Sequence, residues 1–586
     1  MSFRTTLIVG LIFILAVVGY LVFKEVQPSK SKSELLDIKT AYNIQRDKIT
    51  KIGLSYGDES LQPITLEKRG NEWYLSEPVE APADPDKIKY LMDDLLNKRI
   101  KMRFKTKELA RYGLDKPQIT LSIWTEGSGE NPYKSFLIGH KGVEYTVYAK
   151  EKGEPDVVIG IESSALDDFT KSPSDMRQRK IMRFASKDLD SIKIVRANMA
   201  EITLQKDEEG NWRMIEPVKS RADKDEVDKL AEAIRGIRVR VFEEDNPKDL
   251  SRYGLKKPSL QVEVKYGEST KRLLIGSKDP ETGRLYVKLA SQPYVYSIDS
   301  DLLDKIPKEP FDLRDKTVIS FQRFDADRLK LIRPDGKLAL RKKGEAKWEI
   351  EEPVKVEADE VAVDDLLFAL DSLKAKGFVS EKAKELAKYG LERPRLEIQV
   401  QEVGKPDVYF VKVGGKTKDG YYVLGSYSNA VALISQDDFE KLNKGLLELR
   451  TKTVWDITTS DVAEVELKHD KTDVRCIRKG YDWHIVSPVK EKANNSEVND
   501  ILYEVHQLKA LRFLPKPRSL SQYGLDKPRV YLKMTMRDGR KSYELSLGKE
   551  KDGEIYAKAS VSEYPFMVDK DVLEKLLKTV EDLREK

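Results

Sequence analysis

The sequence predicts an α+β protein: one N-terminal transmembrane helix, then four tandem homologous repeats. Each repeat is expected to be an antiparallel sheet with one main amphipathic helix and short helices. Three observations predict this. A composite motif recurs four times at domain-sized spacing, each copy joins strand-like alternation to one helix-like run, and an uncharged apolar segment precedes the first copy.

The first copy of the motif reads Trp73, Glu77-Pro78-Val79, Ala83-Asp84, then Tyr112-Gly113-Leu114 and Pro117. The second reads Trp212, Glu216-Pro217-Val218, Ala222-Asp223, Tyr253-Gly254-Leu255 and Pro258. The third reads Trp348, Glu352-Pro353-Val354, Ala358-Asp359, Tyr389-Gly390-Leu391 and Pro394. The fourth departs at two positions: Trp483, Ser487-Pro488-Val489, Ala493-Asn494, Tyr523-Gly524-Leu525 and Pro528. Successive tryptophans stand 139, 136 and 135 residues apart, so the repeating unit is a whole domain. The organisation expected is a tail and transmembrane anchor over 1–23, a stalk over 24–46, and repeats over 47–184, 185–322, 323–456 and 457–586.

The anchor is read from residues 6–23, eighteen residues without a charge. At 1.5 Å per residue such a helix is roughly 27 Å long, close to the hydrocarbon thickness of a bilayer. A cleaved signal peptide would have a shorter apolar core and a small-residue cleavage site, which Lys24-Glu25-Val26-Gln27-Pro28 does not offer. Lys24, Lys30 and Lys32 after the segment, against Arg4 before it, would favour a cytoplasmic C-terminal side. The short tail before a single apolar segment is instead the layout of a signal anchor, and export of the repeats is the orientation expected.

The second copy shows how one repeat is built. Residues 191–196 and 201–205 alternate polar and apolar side chains, as half-buried strands do. Asp207-Glu208-Glu209-Gly210-Asn211 is turn chemistry leading to a strand from Trp212, which Pro217 ends because it has no N–H for the ladder. Asp223 is an N-cap, and Glu226 three residues on completes a capping-box pattern, repeated by Asn494 and Glu497. Val227, Leu230, Ile234 and Ile237 then share one helical face, as do Val498, Ile501, Val505 and Leu508.

After a strand over 238–242 comes a brief helix closed by Gly254 in the left-handed conformation, with Leu255 making the accompanying apolar contact. Strands are expected over 260–266, 271–275, 285–289 and 294–298, with an apolar-glycine step at Gly139, Gly276, Gly414 and Gly548. A last helical segment carries Asp312-Leu313-Arg314, matched by Asp175-Met176-Arg177, Glu448-Leu449-Arg450 and Asp582-Leu583-Arg584.

Composition narrows the function classes. The 586 residues fit about four domains at roughly 150 residues each. Lys+Arg 105 against Asp+Glu 100 leaves only +5, and the charges are interleaved, so no nucleic-acid partner is expected. The single cysteine, Cys476, lies in a strand-like run and reads as a small buried hydrophobe. His140, His469, His484 and His506 form no metal-ligand spacing. Gly414-Gly415-Lys416-Thr417 resembles the end of a phosphate loop, but Phe410 stands where that motif needs its first glycine. No catalytic, cofactor-binding or metal residue is therefore assigned, the chain is expected not to be an enzyme, and no binding residue is singled out.

The combination of Trp, Pro-Val, Ala-Asp, amphipathic helix and Tyr-Gly-Leu-x-x-Pro behind an anchor resembles a bacterial family, the domain of unknown function numbered 4340. The resemblance covers roughly 47–586 as tandem copies. It implies an envelope-facing accessory partner of an ABC-type or gliding-associated transport system; joined to the anchor and its expected orientation, this makes the chain an expected accessory or bridging subunit in the bacterial inner membrane with its repeats in the periplasm. The partners implied are the membrane and an ABC-type transporter or other envelope membrane proteins; the family supplies no catalytic residues to carry over. The rival expectations are an anchored receptor for an envelope polymer or lipid, and an envelope hydrolase.

Overall fold

The computed structural model of the chain describes residues 36–344 and 347–585, together with Val17. The anchor expected over 6–23 lies outside the described residues apart from Val17. Among the described residues no helix is long and apolar enough to cross a membrane.

The four repeats share one topology. In the first, strands β1 (Ile49–Tyr56), β2 (Ile64–Arg69), β3 (Glu72–Glu77) and β4 (Ala81–Pro82) form an antiparallel meander. The main helix, Pro85–Asn97, then leads to β5 (Ile100–Lys105). A short 3-10 turn, Leu109–Tyr112, precedes a second meander of β6 (Ile119–Thr125), β7 (Lys134–Lys141), β8 (Thr146–Glu151) and β9 (Val157–Glu162). The strand order is β4-β3-β2-β1-β6-β7-β8-β9-β5, and the other three nine-stranded sheets repeat it position for position. Because β4 and β5 are opposite edges, the helix between them must traverse the sheet, which places its apolar stripe over the middle strands.

That stripe is the one the periodicity predicted. Val227, Leu230 and Ile234 are at most 1% exposed, and Ile237 follows just past the helix end. Each such side chain, fully buried, contributes about 1.5–3 kcal/mol. The caps form as expected: Asp84, Asp223, Asp359 and Asn494 each accept a backbone N–H from the first turn. The capping boxes do not. The N–H of Asp223 donates to the Leu313 carbonyl at 2.9 Å and that of Asn494 to Leu583 at 2.8 Å. Glu226 and Glu497 turn away to Lys229 and Lys578, each at 2.7 Å.

In the second and third repeats a smaller apolar cluster forms around the Tyr-Gly-Leu turn, apart from the main core. Gly113, Gly254, Gly390 and Gly524 all have φ between 66° and 69° and close the 3-10 turns, as the left-handed stop required. Each turn lies on the apolar-glycine step of its own β7. A Cβ at Gly276 would stand 2.0 Å from the Tyr253 carbonyl oxygen, and at Gly139 2.1 Å from that of Tyr112. The two motifs are thus two sides of one contact. The tyrosine of each turn packs against a tyrosine of β8, with ring centroids 4.5–5.0 Å apart in all four repeats.

Three domain boundaries differ from expectation. Ile181 and Met182 belong to the second core, Val318, Ile319 and Phe321 to the third, and Trp455 to the fourth. The cuts expected after 184, 322 and 456 therefore come a few residues late, and the chain divides after Asp315 into two compact units. Residues 36–46, expected as stalk, form part of the first domain: Ile38, Tyr42 and Ile44 are buried in its core. These segments lack strand alternation, so their apolar residues gave no periodic signal; they fill the space under the main helix.

Candidate functional site

The residues that recur in all four motifs assemble into a seam within each repeat. The carbonyls of Trp73, Trp212, Trp348 and Trp483 accept the N–H of Ala83, Ala222, Ala358 and Ala493 at 2.8–3.1 Å. The same alanines bridge to Arg177, Arg314, Arg450 and Arg584. The next residue donates its N–H to the carbonyl just before that arginine, at 2.8–2.9 Å. Tryptophan strand, cap and terminal arginine are therefore one backbone junction. Each X-Pro bond of the Glu/Ser-Pro-Val step is cis.

The seam directs two of its arginines into the following repeat. Arg177 is 4% exposed; its guanidinium lies 4.0 Å from the Phe242 ring centroid and 5.2 Å from that of Tyr294. Its Nη1 meets Asp245 Oδ1 at 2.6 Å. Arg450 stacks on Phe513 at the same 4.0 Å. Burial pulls the Arg450 guanidinium below its ordinary pKa. The Nε of both arginines has no hydrogen-bond partner among the described residues.

Beside Arg177 a cleft of about 210 Å³ opens between the first two repeats. Its cationic lining is Arg177, Lys180, Arg183 and Lys271, and its one carboxylate is Glu72. Arg183 approaches Glu72 at 3.8 Å. Lys180 and Lys271 have no ion-pair partner among the described residues. Phe242, Tyr296 and Tyr74 supply aromatic wall. Tyr296 donates to Gln292 Oε1 at 3.0 Å, and burial pushes its phenol well above the usual range, so it remains a neutral donor. Tyr294 closes the junction by donating its hydroxyl to the Glu80 carbonyl of the first repeat.

The residues weighed singly in the sequence do not converge. Cys476 is buried, and burial raises its thiol to about 11. His140 belongs to the first repeat and the other three histidines to the fourth. His469 Nε2 meets the Lys578 carbonyl at 2.8 Å, and His506 Nδ1 meets that of Ile457 at 2.6 Å. Gly414-Gly415-Lys416-Thr417 is the end of a strand, Val408–Thr417. Among the described residues no group of three or more His, Cys, Asp and Glu could hold a metal ion. Sequence reasoning missed the cleft itself. Its signal is the basic set Lys180 and Arg183, which stands in the segment expected to close the preceding repeat.

Four successive domains with one topology and one recurring seam define a tandem-repeat protein. Four successive matches to the family described as "Domain of unknown function (DUF4340)" cover residues 73–212, 212–347, 348–482 and 483–586, and the chain belongs to that family. The matches run from tryptophan to tryptophan, out of phase with the folded domains, which close on the seam arginine. No curated protein matches the chain.

Proposed function

We propose that the chain is a non-enzymatic, single-pass protein of the bacterial inner membrane whose repeats stand in the periplasm as an accessory or bridging subunit of an ABC-type transport system. The observation that carries the reading is the uncharged eighteen-residue run over 6–23, set in sequence before four like domains. The transporter as partner is what the family resemblance adds. The outer sheet faces support a scaffold rather than a reaction centre, being laced with pairs such as Lys193–Glu201 at 2.7 Å and Arg272–Glu263 at 2.6 Å.

Affinity capture of the tagged full chain from solubilised membranes tests this reading. Transporter subunits are expected in the eluate, and repeated recovery of the chain without any membrane partner overturns it. A phosphatase reporter fused after the first repeat is expected to be active, as an exported domain requires. One observation favours a second reading, an anchored receptor for an envelope lipid or polymer: the cation-lined cleft of the first junction. Stepwise loss of affinity on deleting repeats would favour that receptor over a bridge, which should fail abruptly.

A further inference from the structure

We propose that the cleft between the first two repeats binds a phosphate monoester, with Lys180 and Lys271 as its charge-recognising side chains. The balance of charge at the site leads to this class. Arg177 is already matched by Asp245 at 2.6 Å, and Arg183 is partly matched by Glu72. Lys180 and Lys271 line the same cleft and have no ion-pair partner among the described residues. Two uncompensated cations call for a dianion, and a phosphate monoester carries close to two negative charges near neutral pH. A single carboxylate would leave one cation unmatched. Lysine ammoniums serve as rotatable point charges for phosphate without the fixed fork geometry of arginine.

The rest of the lining suits an ester rather than a bare ion. Phe242, Leu289 and Tyr296 present apolar and aromatic surface beside the cations. The volume of about 210 Å³ holds a phosphate with a small substituent, not an extended polymer.

The corresponding positions of the junction between repeats 3 and 4 show that the cations are not demanded by the fold. The bridges Lys180–Arg238 and Thr453–Lys509 align the segments that lead into the second and fourth repeats, so Thr453 replaces Lys180 and Asp456 replaces Arg183. The strand registers Val264–Lys271 and Met534–Tyr543 put Tyr543 in place of Lys271. All three differ in the one direction that removes positive charge. Tyr543 packs its ring against Trp455, with centroids 6.0 Å apart. The seam is kept where the cations are not.

The shared chemistry can come from a soluble metabolite or from a lipid headgroup, and the test separates them. Purified full chain in detergent is titrated calorimetrically with glycerol 3-phosphate, with dioctanoyl phosphatidic acid below its micellar concentration, and with dioctanoyl phosphatidylcholine. Saturable binding of either monoester is expected, with phosphatidylcholine inert. Heat with phosphatidic acid alone assigns the site to a lipid; heat with glycerol 3-phosphate as well assigns it to a soluble ester. The double variant K180Q/K271Q is expected to weaken binding by at least about tenfold. Lys308→Gln, outside the cleft, should leave it unchanged. Binding that survives the double variant, or absence of heat with both monoesters, overturns the proposal. Both lysines are surface or half-buried, so an unchanged melting profile will separate lost binding from lost fold.

Discussion

The junctions between repeats 1 and 2 and between repeats 3 and 4 are built on the same backbone seam and neutralise their arginine differently. Arg177 is fully buried and meets a carboxylate, Asp245, three residues beyond Phe242. Arg450 is only half-buried, and three residues beyond Phe513 stands Lys516, which pairs with Glu563 at 3.0 Å. The difference follows from desolvation. A guanidinium removed from water needs a countercharge, whereas one that keeps part of its hydration can rest on an aromatic face alone. The aromatic seats differ in the opposite sense: Phe513 is 5% exposed and packed in the fourth core, while Phe242 is partly buried at the edge of the second. One junction leans on charge and the other on apolar packing.

The largest expected effect separates them through the aromatic ring. Phe513→Ala should cost about 3–5 kcal/mol, the range for deleting a buried aromatic side chain. Phe242→Ala should cost about half as much. Cys476 provides a local reporter, because its thiol lies in the same core as Phe513. Its alkylation at pH 8 should be slow in the native chain and accelerate in the Phe513 variant. Its pH dependence has a definite sign. Burial raises the native thiol from 9.0 to about 11, so its contribution to stability is complete below pH 9 and is lost as pH rises through 11. Equal labelling rates in the two phenylalanine variants would remove the distinction between the junctions.

Removing the carboxylate should rank the junctions the other way. Asp245→Ala leaves the Arg177 charge buried without its partner. The full cost of breaking a buried pair is about 3–5 kcal/mol, and about 2 kcal/mol is expected here because water reaches the Asp245 side of the pair. Glu563→Ala breaks the exposed Lys516–Glu563 pair of the fourth repeat and should change stability by less than about 1 kcal/mol. Hydrogen exchange of the β5 amides, Val241–Glu244 in the second repeat and Arg512–Phe513 in the fourth, reads both. Protection lost at the fourth repeat but retained at the second would contradict the assignment.

The caps give a smaller effect that should be the same at both junctions. Asp223→Ala and Asn494→Ala each remove the side-chain acceptor for two N–H groups of the first helical turn. About 1 kcal/mol is expected in each case. Glu226→Ala and Glu497→Ala should cost less, since neither closes a capping box. Helix amide exchange distinguishes these outcomes, and a Glu226 effect as large as that of Asp223 would revive the box.

What the sequence made legible follows from what is periodic and local. The main helix and strands such as Leu260–Tyr266 and Leu285–Leu289 show their burial every third or fourth, or every second, residue. The glycine stops were legible because a left-handed residue is nearly a glycine monopoly. The seam was not, because Ala83 and Arg177 meet across a whole domain through a single bridge that leaves no pattern. The sequence pattern puts the arginines in a final helical segment, yet Arg177, Arg450 and Arg584 have extended backbones just past it. The two-residue β4 strands were too short to alternate, and the cleft draws its lining from β3 and β4 of the first repeat, the inter-repeat segment, and β5, β7, β8 and β9 of the second.

The smallest expected effect comes from the position that joins all four repeats to this comparison. Four residues after the bridged Arg238, Lys374 and Lys509 stand Phe242, Phe378 and Phe513, but four residues after Arg99 stands Arg103. Arg103 pairs with Glu154 at 2.8 Å near the surface. If the phenylalanine serves to seat an arginine delivered by a preceding seam, no such arginine stands at this position among the described residues of the first repeat, whose residues 37–44 supply a bridge at Asp37 but no Asp-Leu-Arg motif. Arg103→Phe should therefore shift stability by less than about 0.5 kcal/mol, the scale of losing one exposed ion pair. Phe242→Arg, the reverse exchange, brings a second guanidinium against Arg177 and should open the first junction. Exchange-detected unfolding of both variants measures the asymmetry. A stabilising Arg103→Phe comparable to the loss in Phe242→Ala would mean that the ring serves its own repeat and not the arginine placed on it.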